Sequence, residues 1–146
     1  MRLSRKRLLI VDDEPDTLES LRLLLSPAYD VCVARNGAEA LDEVNRGFHP
    51  DAVLLDLIMP TMDGLEMARE LARTGLRAPI LVISGDPEAE RKAREAGIHE
   101  VLTKPFTYEQ LKAKLERVLK TPGAPKSGGG FLRGLILALP ARVGGA

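Results

Sequence analysis

Short runs of Val, Ile and Leu alternate along this chain with stretches whose apolar residues recur every three or four positions. The short runs, Leu8–Val11, Val31–Ala34, Ala52–Leu55, Ile80–Ile83 and Val101–Thr103, predict strands, and their nearly continuous apolar character is that of strands covered on both faces. The longer stretches predict five helices. The first opens at Pro15 with Asp13 or Glu14 near its cap, carries Leu18, Leu21, Leu24 and Leu25 on one face, and ends at Ser26-Pro27. The second lies between Asn36-Gly37-Ala38-Glu39, where the Asn36 oxygen can accept from a free backbone N–H, and Gly47. The third runs from Leu65 to Arg73 and ends near Gly75, and the fourth runs from Glu88 to Ala96 with Gly97 as its stop. Thr107-x-x-Gln110 reads as a capping box opening a fifth helix that runs to Leu119. This alternation predicts an α/β fold, a doubly wound parallel sheet of five strands with five helices, whose ligand crevice lies beyond the carboxyl ends of the strands.

The pattern changes near Lys120. Residues 1–120 read as one domain, whereas Pro122, Pro125 and Gly128-Gly129-Gly130 read as a flexible linker within a tail covering 121–146. Within the tail, Phe131–Leu139 is apolar apart from Arg133. It is too short to cross a bilayer; it is suited either to docking as a short helix on the domain, a second copy or another protein, or to remaining an unstructured extension.

Composition narrows the function classes. With 45% hydrophobic and 29% charged residues, the chain can bury one sizeable core, which excludes wholesale disorder. Lys and Arg number 21 and so do Asp and Glu, a balance that lacks the basic excess of a dedicated polyanion binder, so no nucleic acid partner is expected. Charge is nevertheless uneven: all three ionic side chains of the tail, Lys126, Arg133 and Arg142, are basic, which leaves residues 1–120 at net −3. The one cysteine, Cys32, excludes a disulfide framework and is expected to be a buried structural thiol. Arg2, Arg5, Lys6 and Arg7 precede only the four apolar residues Leu8–Val11, too few for a signal peptide or a membrane span, which predicts a cytoplasmic protein.

Candidate chemistry gathers at the predicted carboxyl ends of the strands. The first strand runs into Asp12 and Asp13, the third into Asp56, the fourth into Ser84 and the fifth into Lys104-Pro105. Taken alone, Asp12 and Asp13 suit the start of a helix as well as a metal. Three carboxylates in one crevice repel one another unless a hard divalent cation such as Mg²⁺ neutralises them. A metal, the Lys104 ammonium and the Ser84 hydroxyl around one carboxylate are the parts needed for phosphoryl transfer, with Asp56 as the nucleophile that forms an aspartyl phosphate. Met59 and Met62 are read as packing beside this site, because thioethers suit soft metals, and His49 and His99 have no partner spacing.

Asp12-Asp13, the run Leu55-Asp56-Leu57-Ile58-Met59-Pro60 with Met62-Asp63-Gly64, Ser84-Gly85 and Lys104-Pro105-Phe106 together resemble the response-regulator receiver domain of two-component signalling over about residues 7 to 120, in the manner of single-domain chemotaxis regulators. The resemblance implies a flavodoxin-like fold and a phosphoryl group passed from a histidine kinase or phosphotransfer protein to Asp56. It implies that Mg²⁺ is held by Asp13 directly, by Asp12 through water, by Asp56 and by the backbone carbonyl of Ile58. Lys104 matches the lysine that contacts the phosphoryl group, Ser84 the hydroxyl that moves toward it, and Pro105 a proline often held in a cis bond. The surface from Pro87 to Leu119 matches the face through which relatives signal to a downstream protein, and a homodimer is compatible with it. Val101 stands where many relatives carry an aromatic residue, and Ile58 is apolar where some carry a polar one.

As so read, the chain is not an enzyme beyond its own phosphorylation and dephosphorylation, and the residues after Lys120 are too few for a folded DNA-binding output domain. The alternative is a phosphorylation-independent receiver that serves as a binding or dimerisation module, whose sign would be a missing acid or lysine. A phosphohydrolase would place a second aspartate at position 58, and a flavin or nucleotide binder would need an aromatic pair or a Gly-rich loop; neither is in the sequence.

Overall fold

Each of the five apolar runs forms a strand, and backbone pairing carries four of them one residue further toward the candidate site or its opposite end. The computed structural model describes residues 5–56, 78–95 and 100–120, together with Arg69, Arg73 and Ile98. Among these residues the strands are β1 (Arg7–Val11), β2 (Asp30–Ala34), β3 (Ala52–Asp56), β4 (Ile80–Ser84) and β5 (Val101–Thr103), and the helices are α1 (Pro15–Leu25), α2 (Gly37–Asn45), α3 (Pro87–Glu95) and α4 (Tyr108–Lys120). The helix predicted over Leu65 to Arg73 lies outside the described residues except for Arg69 and Arg73, whose backbone bond at 3.2 Å has i to i+4 spacing. The tail 121–146 also lies outside them. No described helix is long and apolar enough to cross a membrane.

All strand pairs are parallel, in the order β2-β1-β3-β4-β5. The order reverses between β1 and β3, which makes the carboxyl ends of these two strands the switch point at which α/β sheets bind ligands. Alternate residues fill two cores. On one face Leu8, Ile10, Leu54, Leu81 and Leu102 meet Leu18, Leu21 and Leu25 of α1 and Leu111, Leu115 and Val118 of α4. On the other, Leu9, Val11, Val53, Leu55, Val82 and Val101 meet Ala40 of α2 and Ala93 of α3.

Local chemistry sets the helix ends. The Asn36 side-chain oxygen accepts from the Glu39 N–H at 2.9 Å, while the Glu39 carboxylate turns back to the Arg35 N–H at 2.9 Å and its guanidinium. Gly47 stops α2 at φ 108°, a left-handed conformation that a side chain would strain. The Phe48 N–H donates to the Glu43 carbonyl and the Gly47 N–H to the Val44 carbonyl, both at 3.0 Å, so two end carbonyls are satisfied. Thr107 and Gln110 exchange reciprocal bonds of 2.8 and 3.1 Å, closing the capping box that opens α4.

Two expectations are corrected. Leu24, expected on the buried face of α1, is 41% exposed, because a helix turns about 100° per residue and the buried stripe is Leu18, Leu21 and Leu25. Cys32, expected to be buried, is half-buried, because β2 is an outermost strand. Its thiol donates to the Glu43 carboxylate at 3.3 Å, and burial first, then Glu43, pushes its pKa up to about 12. The folded state therefore keeps the proton that an unfolded thiol loses near pH 8.5; this contribution to stability is complete below that pH and fades as pH rises toward 12. Alkylation of Cys32 at pH 8.5 is expected to be about a hundredfold or more slower in the native protein than in denaturant, read from the rate of iodoacetamide adduct formation; equal rates would mean that the thiol is neither buried nor paired.

Candidate functional site

Strand register brings the predicted site residues to one edge of the sheet. Val11 pairs with Leu55, Asp56 with Ile83 and Ser84 with Thr103, so Asp12, Asp56, Ser84 and Lys104 sit at or just beyond the carboxyl ends of four adjacent strands. The Asp12 N–H prolongs the β1 and β2 pairing by donating to the Ala34 carbonyl at 3.1 Å, and the Lys104 N–H prolongs the β4 and β5 pairing by donating to the Ser84 carbonyl at 2.8 Å.

Asp12 is only 4% exposed. Its carboxylate accepts from the Glu14 N–H at 2.9 Å, which fixes the turn into α1 and gives the uncapped Glu14 end of that helix a side-chain partner. Asp13, beside it, is half-buried. Asp12 and Asp13 bring two carboxylates to this strand end and a third acid, Asp56, ends the neighbouring strand; carboxylate oxygens are hard donors, the ligand type that suits Mg²⁺. The Asp56 side chain and the whole of Ile58 lie outside the described residues, and among those described no three His, Cys, Asp or Glu side chains form a metal-holding group.

Ser84, the last residue of β4, is 2% exposed. Its hydroxyl accepts from the Asp86 N–H at 3.0 Å and reaches the Asp86 carbonyl at 3.4 Å, while the Asp86 carboxylate accepts from the Glu88 N–H at 2.9 Å and so caps α3. The buried hydroxyl is thus tied to the first turn of a helix. Sequence reasoning missed this role of Asp86, although an Asp before a Pro at a helix start carries the signal. The Lys104 stem passes beside Gly85, its Cβ 3.7 Å from where a side chain on that glycine would begin, and the Lys104-Pro105 peptide is cis.

Val101 is buried against Ala93 and Ile98. Between β5 and α4 lies a groove of about 680 Å³ lined by Val101, Lys104, Ala113, Lys114 and Arg117, with Glu100 paired to Lys114 at 3.6 Å and to Arg117 at 3.1 Å. Met59, Met62 and His99 lie outside the described residues, and His49 is exposed.

Known proteins share both the sequence and the fold. Response regulator MprA of Mycobacterium sp. is 45% identical over 117 residues, covering 78% of this chain and 50% of that protein. MprA of Mycolicibacterium vanbaalenii is 44% identical over 127 residues, covering 85% and 54%. The chain spans about half the length of these curated relatives. Among solved structures, chemotaxis protein CheY4 of Vibrio cholerae superposes with a TM-score of 0.71 at 29% identity, over 79% of this chain and 99% of that one. A CheY-like response regulator receiver domain protein of Methanospirillum hungatei gives 0.67 at 28%, over 80% and 94%. The response regulator receiver domain family matches residues 8–116, and the chain belongs to that family.

Proposed function

We propose that Asp56 accepts a phosphoryl group from the phosphohistidine of a histidine kinase or phosphotransfer protein in a Mg²⁺-dependent reaction, and that the change is read out by a downstream protein through the surface from Pro87 to Leu119. The observation that supports this reading furthest is the register that lines up Asp12, Asp56, Ser84 and Lys104 along one sheet edge at the switch point. In the transfer a carboxylate oxygen of Asp56 bonds to phosphorus as the bond from phosphorus to the imidazole nitrogen breaks, and the imidazole leaves with the electron pair. Asp12, Asp13, Asp56 and the Ile58 carbonyl would hold Mg²⁺, which when bound neutralises charge on the transferred oxygens. Lys104 adds a second positive charge to them. The chemistry of the module is its own phosphorylation and dephosphorylation, and the cytoplasm, where an unpaired thiol such as Cys32 stays reduced, is its setting.

The test is intact-mass spectrometry after incubation with a small acyl phosphate, with Mg²⁺ or with a chelator. One phosphoryl adduct per chain, formed only with the metal, is expected. No adduct under donor excess would overturn the reading and leave the phosphorylation-independent module.

Ser84→Ala is expected to leave uptake in place but to weaken the conformational response, because the hydroxyl that links the site to the Asp86 turn is gone. Amide spectra recorded before and after acyl phosphate would show it: shifts at Asp86 to Glu88 should shrink in the variant, and shifts of wild-type size would remove Ser84 from the switch.

A further inference from the structure

Among the described residues three large apolar side chains stand exposed: Leu23 and Leu24 on α1, at 63% and 41%, and Tyr108 at the start of α4. The leucines are neighbours in the last turn of their helix. Because every strand is parallel, each helix returns from the carboxyl to the amino edge of the sheet, so α1 and α4 both end at the amino edge, and both pack on the same face. Tyr29, just past α1, packs against the core these helices share, and its hydroxyl feels both Glu116 and Tyr108 along α4, so the end of α1 lies beside α4. The chain therefore leaves α4 close to the exposed leucines, whereas Tyr108 stands a helix length, about 18 Å, away.

The sequence beyond Lys120 supplies an apolar segment of matching size. Phe131, Leu132, Leu135, Ile136 and Leu139 recur at the spacing of one helical stripe, bounded by Pro140. Such a stripe needs a cover. The ten residues Thr121–Gly130, rich in Gly and Pro with one Ser, reach about 17 Å, more than the spacing of about 10 Å between packed helices. Charge decides between two seats. The groove between β5 and α4 is lined by Lys104, Lys114 and Arg117 and stays net positive although Lys114 and Arg117 share Glu100, and the tail carries Lys126, Arg133 and Arg142 with no acidic side chain, so like charges oppose docking there. The exposed flank of α1 carries Asp16 and Glu19, with Arg22 already paired to Glu19 at 2.5 Å.

We propose that Phe131–Leu139 folds back as a short helix over Leu23 and Leu24 of α1, so that the tail covers the receiver's own first helix. Hydrogen exchange of the full chain read by mass spectrometry tests this, comparing wild type with the double variant Leu23→Glu, Leu24→Glu. The amides of 131–139 are expected to exchange about tenfold slower in wild type than in the variant, and equally so after tenfold dilution. Fast exchange in wild type, protection that survives the double substitution, or protection lost on dilution, which would make a second copy the cover, would each overturn the proposal. Leu24→Ser alone provides the same comparison should the double variant unfold.

Discussion

Asp56→Asn is expected to abolish phosphoryl uptake and to leave the fold in place. The amide keeps the shape of the side chain but has no anionic oxygen to bond to phosphorus, and a weak neutral nucleophile cannot replace a carboxylate held in position. Stability should change little, because the contribution of this residue to the sheet is its backbone pairing with Ile83 in β4, which the substitution does not touch. Removing one negative charge from the neighbourhood of Asp12 and Asp13 also relieves repulsion, so the variant should melt at or slightly above wild type. Two measurements settle it. Intact mass after acyl phosphate with Mg²⁺ should show no adduct, and a thermal scan should place the midpoint within about 2 °C of wild type or above it. An adduct that forms at the wild-type rate would move the acceptor to another residue.

Leu54→Ala is expected to have the largest effect on stability, about 3 kcal/mol. Leu54 lies in β3 between Ile10 of β1 and Leu81 of β4, is almost fully buried, and belongs to the core that joins the sheet to α1 and α4. With strands on both sides and helices above, the space left by the missing carbons has little freedom to collapse, which puts the cost in the middle of the range for leucine truncation. Urea unfolding followed by circular dichroism should show the loss, and the thermal midpoint should drop by about 10 °C. The control is Leu24→Ala, which removes the same atoms from a position that only the proposed tail helix would cover and should cost about 1 kcal/mol or less. Equal losses at the two positions would mean that the helix face has been assigned the wrong way round.

Features decided by a few neighbouring residues were legible in the sequence. The Asn36 cap, the Gly47 stop and the Thr107-Gln110 box formed where the local pattern placed them, because each depends on residues at most five apart. The alignment of Asp12, Asp56, Ser84 and Lys104 was legible for a different reason: in a parallel sheet the residue that ends each apolar run reaches the same edge, whatever the strand order. Cys32 was misjudged because strand order is not written in the apolar pattern, and the order is what leaves β2 with a neighbour on one side only. Leu24 was misjudged because five leucines within eight residues satisfy a three-or-four spacing in more than one phase, and packing chose Leu18, Leu21 and Leu25. Of the part played by Asp86, the helix start at Asp86-Pro87 was legible, but the bond that ties it to the Ser84 hydroxyl two residues earlier was not.

The two outer strands bear on how this chain avoids templating aggregation. An open sheet edge invites another strand when it offers a long, flat ladder of unpaired donors and acceptors. β5 offers three residues and is followed by Pro105, which has no N–H to give. β2 is longer, but it begins at Asp30, whose charge discourages a second copy from aligning there. Neither edge is a good seed for fibre growth, so encounters between crowded copies should be reversible and confined to helix surfaces.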